Sequence, residues 1–191
     1  IKPTPVIGGV GLIKDYSKMI TMNLKKENNI LLVIGKTHGH LNQSLYSRTI
    51  LGNRKGPPPE VNLFNEKNNG ETLHELINKK YVLSAHDVSV GGILVSLAEM
   101  CMAGSMGAKI TLPKSLINLY EYFFGEDQGR YIIEIEKKNY ENVTDLLNKN
   151  SVYFEKIGIC QKEIFALDLE FMIDINELIK NNNNWFKKYF N

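Results

Sequence analysis

The sequence predicts an α+β fold: one mixed β-sheet with helices packed on it. Three observations carry this. Strand-like and helix-like runs mix along the chain without a strict βαβ alternation. The 191 residues fit one domain, or one domain with an extension. Hydrophobic residues make up 43% of the chain, enough for a sizeable core.

The elements follow in order. Residues 6–13 read as a strand punctuated by Gly8, Gly9 and Gly11, where another backbone or a ligand comes close. Ile30 to Ile34 is a short apolar run closed by Gly35, a buried strand. Residues 43–51 read as a helix, with Ser44 near its start. Gly56 and three prolines then stop regular structure. Residues 60–80 read as helical, with Leu73, Leu76 and Ile77 on one face and a break near Asn68, Asn69 and Gly70.

Residues 82–85 form the next strand. Residues 93–103 place Ile93, Leu94, Leu97, Ala98 and Cys101 on one helical stripe, and Gly104 supplies a stop. Residues 108–112 are a strand ended by Pro113. Residues 116–124 are a short helix ended by Gly125. Residues 130–135 alternate as a strand does. Tyr140, Val143 and Leu147 share a helical face. Residues 154–160 and 164–169 look like a strand pair, and residues 175–190 like a terminal helix anchored by Trp185.

Composition removes several function classes. A net charge of +2 gives no electrostatic case for nucleic acid, and no apolar run is long enough to span a membrane. Cys101 and Cys160 lie far apart without metal-ligand spacing and read as buried thiols of a reducing, cytoplasmic compartment. Met100, Met102 and Met106 read as core filling. The chain starts at Ile1 with neither an initiator Met nor a signal-peptide pattern, as expected of a piece of something longer.

The most informative stretch runs from Ser84 to Gly92: Ser-Ala-His-Asp-Val-Ser-Val-Gly-Gly. It sets Ser84, His86, Asp87 and Ser89 at a strand-to-helix junction, where free N–H groups and a positive helix end face an anion. Gly91 and Gly92 let a ligand approach the backbone closely. An aspartate beside a phosphate needs a cation between them, so Asp87 points to Mg²⁺. The alternative is a tight loop with a helix N-cap. His86 and Asp87, as sequence neighbours, are expected to point apart.

A second candidate is Glu126, Asp127 and Gln128, followed by Arg130. Carboxylates and an amide on such a turn suit ribose or amide groups, and Arg130 suits a phosphate or carboxylate. Arg130 paired with Glu126 is the structural alternative. A third is the run 35–44 with His38 and His40. It lacks the phosphate-loop spacing and any third metal ligand, so it reads as a polar loop.

Four segments occur in order: 3–13, 84–93, 97–100 and 124–130. Together they resemble the C-terminal part of the phosphoribosylformylglycinamidine synthases, and residues 42–46 and 56–59 match the bacterial forms. The resemblance runs from about residue 3 to residue 158. It implies an ATP-dependent ligase of de novo purine biosynthesis. That ligase joins formylglycinamide ribonucleotide with glutamine-derived ammonia.

The resemblance further implies a three-layer C-terminal domain of the aminoimidazole-ribonucleotide-synthetase-like module over residues 1–170, with a helical extension over 171–191. The family's catalytic His belongs to an earlier domain, so this chain carries no catalytic residue and is inactive alone. Its partners are the N-terminal domains of the same synthetase and a glutaminase subunit or domain. By pseudo-symmetry, Asp87 and residues 126–128 face an auxiliary ATP/ADP–Mg²⁺ site. Val90 stands where the family usually has Asp, and a glycine is lost near Asn42. The alternatives are an assembly module that docks on sister domains through residues 6–13 and apolar helix faces, or a domain of a selenophosphate synthetase or thiamine-phosphate kinase.

Overall fold

A computed structural model describes residues 6–113, 117–168 and 170–190. The expected motif start at residues 3–5, the expected helix start at Leu116 and the expected strand end at Leu169 lie outside these.

The sheet grows from the apolar run Ile30–Ile34, β1, every residue of which is buried. Its side chains alternate between the two sheet faces. Leu31 and Val33 enter one core, and Ile30, Leu32 and Ile34 the other. α1 (Leu45–Thr49) is capped by Ser44, whose Oγ accepts from the Ser47 N–H at 3.0 Å. α2 (Leu63–Asn78) is capped in the same way by Asn62. β2 (Val82–Asp87) leads through the loop into α3 (Gly92–Gly104), then β3 (Gly107–Ile110) and α4 (Leu119–Phe124). β4 (Tyr131–Ile135), α5 (Tyr140–Lys149), β5 (Phe154–Gln161), β6 (Ile164–Leu167), β7 (Phe171–Asp174) and α6 (Ile175–Phe190) complete the chain.

The seven strands are ordered β2-β4-β1-β5-β3-β6-β7. All neighbours are antiparallel except β3 and β6. α2 and α5 cover one face through Leu73, Leu76, Val143, Leu146 and Leu147. α3, α4 and the start of α6 cover the other through Ile93, Leu97, Met100, Phe123 and Ile175. The result is the expected mixed α+β sheet, in three layers. Met100, Met102 and Met106 pack in or against the α3-side core, as read from the sequence.

The structure corrects five local expectations. Residues 6–13 form no strand; they are exposed, and a Cβ on Gly8, Gly9 or Gly11 would meet nothing within 4 Å. α2 is unbroken through Asn68–Gly70, because those residues have tertiary partners. The Asn68 side-chain amide donates to the Asn150 carbonyl and that of Asn69 to the Gly129 carbonyl, each at 2.8 Å. β5 and β6 do not pair, since β3 lies between them. β7 is a strand that the sequence reading lacks. Trp185 is 57% exposed and meets Phe186 and Tyr189 of its own helix edge-on, while Ile175, Leu178 and Ile179 hold α6 to the body.

Candidate functional site

The turn after α4 organises the region, and its two carboxylates bind the chain's own backbone. Glu126 Oε1 accepts from the N–H of Leu45 at 2.6 Å and of Gly91 at 2.8 Å. One carboxylate thus joins the first residue of α1 to the glycine before α3, at helix ends that favour negative charge. Asp127 accepts three backbone N–H groups of the 35–44 loop: His38 at 3.0 Å, Gly39 at 2.9 Å and His40 at 3.2 Å. Consecutive N–H groups converging on one carboxylate form an anion nest, filled here from within.

Arg130 is buried and locked. Nη2 donates to the Gly125 carbonyl at 2.7 Å, Nη1 to Thr37 Oγ1 at 3.1 Å, and Nε to the Asp127 carbonyl at 3.2 Å. Its ion-pair partner is Asp127 at 3.7 Å, in place of Glu126. Burial lowers the guanidinium's pKa, and the nearby Asp127 opposes that shift. Gln128 alone of the four is exposed.

The 84–92 loop is divided in the same way. Ser84 points into the protein and donates to Glu134 Oε2 at 2.9 Å. Ser89 accepts the Gly92 N–H through its carbonyl at 3.2 Å. Gly91 and Gly92 both have positive φ, +86° and +72°, which suits glycine. A Cβ on Gly92 would lie 2.6 Å from the Phe123 carbonyl oxygen. The close approach there is made by the chain's own backbone.

His86 and Asp87, expected to point apart, meet: His86 Nδ1 lies 3.2 Å from Asp87 Oδ1. His86 Nε2 lies 3.0 Å from Glu99 Oε2 on α3. The Asp87 side chain stays 63% exposed.

A cleft of about 840 Å³ opens beside the turn. Lys36, His38, His40, Asn62, Glu66 and Gln128 are among its lining residues. Of the residues singled out from the sequence, His38, His40, Asp127 and Gln128 line it; Ser84, His86, Asp87, Ser89, Gly91, Gly92, Glu126 and Arg130 do not. The sequence reading missed Asn62 and Glu66, at the cap and first turn of α2, because nothing local marks a helix start as facing a loop distant in sequence. It also missed Glu134, a fully buried carboxylate on β4. That carboxylate accepts from the N–H groups of Lys25 and Lys26, the Asn29 amide and the Ser84 hydroxyl.

Mg²⁺ takes carboxylate, phosphate and water oxygens in a tight octahedron. Within the 84–92 loop the exposed carboxylate is Asp87, and the Gly91 N–H is already taken by Glu126. Among the described residues no three His, Cys, Asp or Glu side chains gather at metal-binding range. The described residues bring together no complete set of magnesium ligands. Among the described residues no helix is long and apolar enough to cross a membrane. Cys101 and Cys160 are buried free thiols; burial pushes Cys101 up to about 12 and raises Cys160 as well.

The family described as AIR synthase related protein, C-terminal domain, matches residues 26–165. The phosphoribosylformylglycinamidine synthase subunit PurL of Pelagibacter ubique is 58% identical over 189 residues, which is 99% of this chain and 26% of that protein. The PurL subunit of Rhodopseudomonas palustris strain BisB5 is 39% identical over the same length. The chain thus spans about a quarter of the length of these curated relatives.

Among solved structures, Thermotoga maritima PurL complexed with FGAR superposes with a TM-score of 0.72 at 17% identity, covering 85% of this chain and 30% of that one. Escherichia coli HypE, a hydrogenase maturation protein, gives 0.58 at 17% identity over 82% of this chain and 51% of that one. Both show a shared fold. The three layers, the ordered motifs and the match over residues 26–165 agree: the chain belongs to the AIR synthase related C-terminal domain family.

Proposed function

We propose that this chain is the C-terminal aminoimidazole-ribonucleotide-synthetase-like domain of a phosphoribosylformylglycinamidine synthase. The full protein is then an ATP-dependent ligase that converts formylglycinamide ribonucleotide and glutamine-derived ammonia to the formylglycinamidine. The observation that carries this reading is the 58% identity to a PurL subunit along 99% of the chain. In this reading residues 1–170 are the domain proper and 171–191 an extension that adds β7 to the same sheet and packs the start of α6 on the same core.

The chain's role in that enzyme is non-catalytic. Nucleotide contacts come mainly from other domains, and Asp87 offers one carboxylate to Mg²⁺ at an auxiliary ATP/ADP site. Gln128 presents its amide at the cleft. Ser84, Glu126, Asp127 and Arg130 shape the surface from behind through the bonds described above. The partners are the synthetase's N-terminal domains and a glutaminase subunit or domain, and a cytoplasmic setting goes with this reading.

Calorimetry of the full-length protein with ADP and Mg²⁺, against Asp87→Ala, tests the auxiliary site. Binding weakened at least tenfold supports it. Unchanged binding removes Asp87 from the site. A domain of a related selenophosphate synthetase or thiamine-phosphate kinase is the second reading; the likeness to HypE shows only that the fold is shared more widely. Turnover with formylglycinamide ribonucleotide separates the two.

A further inference from the structure

Residues 97–100 of α3 contain one polar side chain, Glu99, and it reaches the end of β2. There Glu99 Oε2 lies 3.0 Å from His86 Nε2. The other ring nitrogen of His86, Nδ1, lies 3.2 Å from Asp87 Oδ1. One imidazole thus spans two carboxylates, one on the helix and one on the strand.

The parts of this chain are held in place. Leu97 and Met100, on either side of Glu99, are fully buried and fix how the helix is turned. His86 and Asp87 close β2 in register with Ile132 and Tyr131 of β4, so the sheet holds their backbone. The His86 side chain is only 17% exposed. What remains free to move is the Asp87 side chain. Its Oδ1 meets His86, and among the described residues Oδ2 makes no hydrogen bond.

An exposed aspartate samples several rotamers, and ordering it on binding costs free energy. The His86 contact removes part of that freedom and leaves one oxygen available. Mg²⁺ usually takes one or two carboxylates and fills its remaining positions with phosphate and water. A single oriented carboxylate is therefore a usable contribution to a site that other domains complete.

We infer that Glu99 is a positioning residue: acting through His86, it holds the Asp87 carboxylate ready for Mg²⁺, with Oδ2 left for the metal. This rests on the proposed reading of Asp87 at the auxiliary nucleotide site. A carboxylate behind an imidazole is a general device for orienting groups around a metal. A purely structural tie between α3 and β2 is the alternative. The Glu99 side chain is 46% exposed, and pairs that exposed contribute little to stability.

Calorimetry of the full-length protein with ADP, in Mg²⁺ and in EDTA, tests this through a double-mutant cycle on Glu99 and Asp87. Glu99→Ala should weaken ADP binding in Mg²⁺ about 10-fold. It should leave binding in EDTA and the melting temperature unchanged. In the Asp87→Ala background the same substitution should have no further effect. Glu99→Gln, whose amide oxygen still accepts from Nε2–H, should restore most of the affinity. Equal losses with and without Mg²⁺, or a loss that adds to that of Asp87→Ala, overturn the inference. So does unchanged binding in Glu99→Ala where Asp87→Ala weakens it. Unchanged binding in Asp87→Ala is a separate failure: it removes the auxiliary-site reading, and the inference with it.

Discussion

At the residue scale, the two carboxylates of the turn after α4 are spent on the chain's own backbone. Asp127 satisfies three N–H groups and faces Arg130 within a buried network. Asp127→Ala leaves those groups unpaired and should cost about 3–5 kcal/mol in urea unfolding. Glu126→Gln keeps an acceptor at the two helix starts and loses only the charge, so a cost of about 1 kcal/mol is expected in the same assay. A large loss of nucleotide affinity in Glu126→Gln, with stability intact, would return Glu126 to the ligand.

The buried thiols set a pH dependence. Both pKa values are raised in the folded state, so the fold favours the neutral thiol. The resulting stability is complete below the unfolded thiol pKa of roughly 8.5 and is lost as pH rises above it. Unfolding free energy should fall by about 1.4 kcal/mol per pH unit for each thiol between roughly pH 9 and 11, and Cys101→Ala should flatten part of that slope. A slope unchanged by the substitution would contradict this account.

At the scale of elements, the sheet and most helices are legible because apolar period and glycine or proline punctuation coincide. β1 reads as a buried strand from five apolar residues closed by Gly35, and Ser44 marks α1 through its hydroxyl. What escaped the sequence depends on distant partners. The Asn-Asn-Gly run in α2 looks like a break until Asn150 and Gly129 take its amides. The β5–β6 hairpin looks local until β3 enters between them. Two glycines permit that insertion: a Cβ at Gly158 would sit 2.2 Å from the Lys109 oxygen, and one at Gly107 2.0 Å from the Ile164 oxygen. Gly158→Val should therefore cost more than about 3 kcal/mol, read by denaturant unfolding.

The site followed the same rule. Loop chemistry at His86, Asp87 and residues 126–130 is visible in the residue types, but its direction is not. Whether a carboxylate faces a ligand or a neighbouring N–H is decided by loops and helices far away in sequence. Here Asp127 and Glu126 turn inward, while Asp87 and Gln128 remain at the surface.

At the scale of the whole molecule, the two sheet faces are closed by two helical layers, yet apolar residues remain outside in the 6–13 arm and along the end of α6. Such a body fits a component of a larger protein, in line with relatives of which it spans about a quarter. The most direct test of the account is ADP release from formylglycinamide ribonucleotide, ATP and a glutamine or ammonia source. It compares the full-length protein with the 191-residue chain alone. The account predicts turnover by the full-length protein and none by the chain alone. Turnover by the isolated chain, or none by the full-length protein supplied with ammonia, would contradict it.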